Sequence, residues 1–170
     1  MKKIQEKLQS FAGAMMVPIV LFVLVGFYVG IGSAFTNYII PGDNIVKTIF
    51  GMISAMGFTF MNYLPLWFSV GIAFAMAKKE KGWAAFAGIV LFMSYITCIG
   101  SYAGAQGWNV DTVTVENLVS IGYTQQGALN FSALWGSVAG KFTFDMGIFS
   151  GIISGVTAGL IHNKFCEIKF

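Results

Sequence analysis

Few residues in this chain are of a type and spacing that could do chemistry. The one histidine, His162, stands beside Asn163 and Lys164 at the end of an apolar run. An imidazole there is placed to interact with the carboxyl-terminal end of a helix dipole. Cys98 and Cys166 form neither a disulfide framework nor a Cys-x-x-Cys metal or redox pattern, so both read as small apolar side chains. No carboxylate pair lies within an apolar segment, and no glycine-rich phosphate loop or metal-ligand spacing occurs. The expectation is no catalytic residue, no cofactor and no metal.

Spacing speaks more clearly in the glycines. Gly147, Gly151, Gly155 and Gly159 recur every four residues, with Ser150, Ser154 and Ala158 beside them. On a helix such a row drifts slowly around one face, and a small-residue face lets another helix pack closely. Gly26 and Gly30 repeat the spacing once. Packing inside a bundle and packing between subunits both fit this pattern. Asp145 precedes the row, where a carboxylate would cap unpaired backbone donors at a helix start.

The elements that carry these residues are those of a membrane protein. Apolar residues make up 56% of the 170 positions and charged residues 10%, and the mean hydropathy is +0.75. Soluble domains carry about 25% charged residues, so lipid must solvate much of this surface. The net charge of +3 comes from lysines clustered beside apolar runs, with no arginine. Nucleic-acid binding needs a basic stripe with exposed aromatics, and none is present.

Along the chain, residues 2–12 place Ile4, Leu8 and Phe11 at helical spacing and predict an amphipathic helix on the membrane surface. Gly13 to Phe35 is long enough for a full crossing. A cleavable leader over residues 1–34 competes, but the apolar run exceeds the usual length of such a core. Pro41, Gly42 and Asp43 signal a turn. Thr48 to Ala77 is uncharged but interrupted by Pro65, which predicts two helical pieces, 45–62 and 65–77. Residues 83–105 form another crossing and 146–163 the last. Between them, 106–144 is polar and rich in Thr and Val, which predicts an external loop with a hairpin near Val138–Phe144. Trp67, Trp83, Trp108 and Trp135 are expected as interfacial anchors.

The fold class expected is therefore an all-α polytopic bundle of five hydrophobic helical segments. Cytoplasmic loops collect lysine, and the clusters at Lys2, Lys3 and Lys7, at Lys78–Lys81 and in the carboxyl tail share one side if 45–77 is one broken crossing. That gives four net crossings with both termini in the cytoplasm and the loops 36–47 and 106–144 outside.

Three stretches in this order, GAMMVPIVLFVLVGFYVGIG, NYLPLWFSVGIAFAMAKKEKGWAAFAG and FDMGIFSGIISGVTAGLIHNKFCEIKF, resemble the start of a family of bacterial permeases. That family is enzyme IIC of the sugar phosphotransferase system, glucose/glucoside superfamily, with the α-glucoside and maltose-type members most similar. Members often carry a second proline soon after the one matching Pro18, where this chain reads Ile19-Val20-Leu21-Phe22, and Asp-Thr-Gly where it has Asp145-Met146-Gly147.

The resemblance implies a bacterial plasma-membrane component taking up glucose or an α-glucoside. Its implied partners are lipid, sugar, IIB and IIA components and a second copy of itself. It also implies that residues 1–170 match only the amino-terminal region, which in the family contributes dimer contacts and scaffolding. The family holds sugar mainly through re-entrant hairpins of the second half, carrying a Glu-Pro and a histidine motif without counterpart here. The phosphorylated cysteine of IIB is likewise without counterpart, so enzymatic activity would belong to the complete complex. A truncated or split permease is the expectation, and a non-transporting dimerisation fragment packing through the glycine face is the alternative. In such a protein Asp145 or the tryptophans could instead touch sugar.

Overall fold

The computed structural model describes residues 2–166, with the backbone alone for part of residues 2–17. α1 runs without a break from Lys2 to Ala34. The amphipathic segment 2–12 is thus continuous with the first apolar run, and the side chains of Ile4, Leu8 and Phe11 lie outside the described residues. Pro18 sits inside this helix, fully buried, with its ring against Gly71; a Cβ added at Gly71 would lie 3.0 Å from the proline Cδ. A neighbouring helix that packs on the interruption is what lets a membrane helix tolerate proline. A π-helical turn, Phe35–Ile39, extends α1, and Gly42 with φ +70° turns the chain back.

α2 (Ile45–Asn62) starts at Asn44, whose side chain accepts from the Lys47 amide at 2.9 Å. It breaks at Tyr63, and α3 (Leu64–Met76) begins with Pro65 in its first turn, where the missing N–H is harmless. The proline therefore splits the 30-residue uncharged stretch as its position predicts, at a cost of one non-helical residue. α4 (Lys81–Ala105) follows a tight link in which Glu80 has a positive φ of 48°.

The loop after α4 holds more order than its composition promised. Thr114 and Thr124 cap two short helices, α5 (Val115–Ser120) and α6 (Gln125–Ala133), by accepting from the Asn117 and Gly127 amides. The expected hairpin is present, with β1 (Trp135–Val138) antiparallel to β2 (Lys141–Phe144) and Val138 opposite Lys141. Its two-residue turn, Ala139-Gly140, has φ of +50° and +77°, the backbone that matches strand twist in tight hairpins. α7 (Ile148–Phe165) closes the described chain.

The core is a three-helix unit. α3 packs against both α7 and α4, and α7 also meets α4. Phe68, Ser69, Ile72 and Ala73 of α3 are buried there, and the Ser69 hydroxyl donates to the Gly88 carbonyl of α4 at 2.9 Å. α1 lies along α3 and pairs antiparallel with α2, Gly32 facing Ser54 and Gly57 facing Val29. The hairpin packs along the middle and second half of α4, where Phe92, Ile96 and Val138 form a cluster. Helical segments Pro18–Ile39, Ile45–Asn62 and Lys81–Ala105 are long and apolar enough to cross a membrane, and α3 is a shorter apolar helix. Ile19, Val20, Phe22, Val23, Leu24 and Phe27 of α1 are exposed, a surface suited to lipid. The fold is the all-α polytopic bundle with a short hairpin that the sequence implied.

Candidate functional site

The glycine row lies at the contact between α7 and α3. Gly151 faces the Pro65 carbonyl, Gly155 faces Ser69, and Gly159 faces Met76 and Ala73. These partners advance along α3 in step with the glycines, so α3 and α7 run parallel. A Cβ at Gly155 would stand 2.7 Å from the Ser69 carbonyl oxygen and 2.9 Å from the Ile72 Cβ. Ser150, Ser154 and Ala158 are buried on the same face. The three glycines inside α7 thus serve contact within this chain.

The other glycines singled out by spacing stand elsewhere. Gly147 precedes α7 with φ +54°, and nothing approaches its added Cβ. It is a turn residue rather than a packing one, because the helix starts after it. Gly26 and Gly30 have no close neighbour among the described residues; they line an open groove on α1 with Val23, Phe27 and Ile31. The close approach of α1 to α2 is made instead by Gly32, whose added Cβ would lie 2.6 Å from the Ser54 amide nitrogen. The neighbouring pair Gly32-Ser33 was the sequence signal for it, since Ser33 and Ser54 hydroxyls lie 2.9 Å apart.

Asp145 lies two residues upstream of the α7 N-cap position, which is Gly147 and carries no side-chain cap bond. Its Oδ1 accepts from the Gly147 amide at 2.7 Å, and its own amide donates to the Leu134 carbonyl at 2.8 Å. The residue therefore organises the turn that joins the hairpin to α7. Beside it is a cleft of about 250 Å³ where α2 gives way to α3. Asn62, Ser137 and Asp145 supply its polar lining, and Pro65, Val138 and Ile148 part of its apolar lining.

At the opposite end, α7 is clasped to the link between α3 and α4. Asn163 accepts from the Lys78 amide and donates to the Met76 carbonyl, both at 2.9 Å. His162 Nε2 is 3.0 Å from the Lys79 carbonyl oxygen and 3.3 Å from Cys166 Sγ. His162 thus ties two elements together in addition to standing at its helix end. Of the tryptophans, only Trp83 stands largely exposed at a helix start. Trp67 stacks on Phe60, whereas Trp108 and Trp135 pack against each other, with Phe131 beside both, in the 106–144 segment. No group of His, Cys, Asp or Glu among the described residues is arranged to hold a metal ion.

Known proteins share this sequence pattern. The chain is 25% identical over 169 residues to the PTS system alpha-glucoside-specific EIICB component of Leptotrichia buccalis, covering 96% of this chain and 30% of that protein. It is 27% identical to the PTS system maltose-specific EIICB component of Bacillus subtilis, with the same shares covered. Identity to the Phosphotransferase IIC component GlvC of Escherichia coli is 29%, over 96% of this chain and 43% of GlvC. The chain thus spans less than half the length of these relatives. Residues 12–170 match the family described as phosphotransferase system, EIIC, and the chain is an integral membrane protein belonging to that family.

Proposed function

We propose that residues 1–170 are the amino-terminal membrane region of a sugar permease that takes up glucose or an α-glucoside and works with IIB and IIA components. The observation that carries this reading is the family match over residues 12–170, together with relatives named for α-glucosides and maltose. In this reading 2–12 lies at the membrane interface and 106–144 is the external loop. The lysines support cytoplasmic termini, because the Lys78–Lys81 link and the end of α7 sit together at one end of the bundle. In this reading a second copy of the chain packs on the α1 groove at Gly26 and Gly30, a proposal supported by small residues that leave room for a close helix.

A dimerisation fragment held by the α7 glycines is not favoured, since Gly151, Gly155 and Gly159 face α3 of the same chain. The test is uptake of labelled glucose and α-glucosides in cells lacking their own permeases. The expected result is uptake when this chain is supplied together with a carboxyl-terminal half from a relative. No uptake from that pair, with both halves inserted in the membrane, overturns the permease reading.

A further inference from the structure

The hairpin stands beside the deepest part of a crossing helix. α4 is long and apolar enough to span a membrane. Phe92 lies eleven residues from Lys81 and thirteen from Ala105, about 17 and about 20 Å along that helix. Val138, the last residue of β1, is buried in a cluster with Phe92 and Ile96, and Ala139 of the turn packs on the same cluster. Two turns beyond Phe92, Gly100 faces the Phe142 carbonyl of β2. The strands therefore run along the second half of α4, and their turn reaches its middle. On the side away from this contact the hairpin is open. Its two-residue turn makes Val138 and Lys141 a hydrogen-bonded pair, so the backbone N–H and C=O of Ser137 point away from β2. Ser137 is exposed, and neither its backbone nor its hydroxyl finds a partner beyond the strand pair among the described residues. Lys141 is exposed at the tip, and its ammonium makes no ion pair or hydrogen bond among the described residues.

We propose that the 135–144 hairpin re-enters the membrane from the 106–144 loop, and that its tip and open β1 edge receive a membrane-embedded protein segment bearing a carboxylate, supplied by the carboxyl-terminal half of the permease. The identity of that half rests on the permease reading, whereas the depth of the hairpin rests on α4 alone. Backbone chemistry excludes lipid as the cover. Non-helical backbone at membrane depth persists only where protein buries it or where it lines water, because acyl chains offer no partner to an open strand edge. Charge then selects the chemistry of the partner. An ammonium near the middle of a hydrocarbon core about 30 Å thick is costly, and such groups face protein and pair with an opposite charge. A second copy meeting this one tip to tip would set Lys141 against Lys141, a like-charge contact that interfaces avoid. A carboxylate from a different segment satisfies the lysine, and polar groups beside it satisfy the Ser137 edge.

The experiment reads depth first and cover second. A small fluorophore is attached to Ser137→Cys, Lys141→Cys, Leu24→Cys or Gln126→Cys, one at a time, in a chain also carrying Cys98→Ala and Cys166→Ala. The chain is placed in phosphatidylcholine vesicles containing lipids with a nitroxide at the headgroup or at mid-acyl chain. The label at 141 is expected to be quenched most by the mid-acyl nitroxide, as is the label at Leu24 on the exposed face of α1; the label at Gln126 is not. Quenching at 141 that follows Gln126 overturns the inference. When the carboxyl-terminal half of a relative is supplied, quenching at 137 and 141 is expected to fall several-fold while that at Leu24 holds. Unchanged quenching at 141 with the second half bound overturns it, and so does a fall produced by more of this chain alone, which would make a second copy the cover. Lys141→Glu is expected to reduce copurified second half roughly tenfold, and Lys141→Arg to retain it; equal recovery with Lys141→Glu overturns the carboxylate partner. Uptake by the two halves with position 141 still quenched would remove the docking surface and leave the permease. Protection of position 141 without any uptake would remove the permease reading alone.

Discussion

Ser69 shows how little polar chemistry this core uses and how much depends on it. Its hydroxyl bridges to the Gly88 carbonyl while its own carbonyl lies against both Gly88 and Gly155, so one residue touches α4 and α7 at once. Closeness of this kind leaves no room for added atoms. Gly155→Leu is expected to lower stability by about 1–3 kcal/mol, the usual cost of overpacking, seen as a fall in the thermal midpoint of the detergent-solubilised chain. Gly26→Leu, on the open face of α1, is expected to leave that midpoint unchanged and to reduce crosslinked dimer in membranes. The four-residue spacing made the α7 row legible in the sequence, because periodicity reveals a shared face. It did not reveal which glycine lies outside the helix, as Gly147 does, since that depends on where Asp145 bends the chain.

The elements were legible where a single residue forces the outcome. Pro65 forces the break between α2 and α3, and the Val-Ala-Gly-Lys run at 138–141 forces a tight turn between strands. Pro18 was the opposite case: its ring is accommodated by Gly71 on another helix, a contact that no local pattern encodes. The short helices α5 and α6 leave no legible pattern because each is too brief to show a period, although Thr114 and Thr124 cap them. The hairpin turn offers an element-scale test. Ala139 holds φ +50°, a left-handed conformation that costs a residue with a Cβ roughly 1 kcal/mol. Ala139→Gly is therefore expected to slow amide exchange at Val138 by several-fold, and Ala139→Val to speed it.

For the whole molecule, low charge and high hydropathy sufficed to announce a membrane bundle, and the lysine clusters carry the direction proposed for it. Composition could not show that α3, the shortest of the apolar helices, would be the one surrounded by α1, α4 and α7. Centrality follows from small residues meeting across helices, which is a property of pairs. The orientation leads to a test at this scale. A cysteine replacing Lys79 is expected to react with an impermeant thiol reagent only in inside-out vesicles, and one replacing Gln126 only in intact spheroplasts. The reverse pattern would invert the bundle.

The parallel pairing of α3 with α7 has a consequence for alignment. Gly151, Gly155 and Gly159 meet partners spaced like themselves, so the seam is a ruler with equal divisions. Sliding α7 by one turn, about 5.4 Å, would again set glycines against the row of α3. The seam alone thus measures closeness without counting position. Position is counted at the two ends, by Asn163 on Met76 and Lys78, and by the Asp145 turn anchored to Leu134. These stops, rather than the long interface between them, select one notch of the ruler.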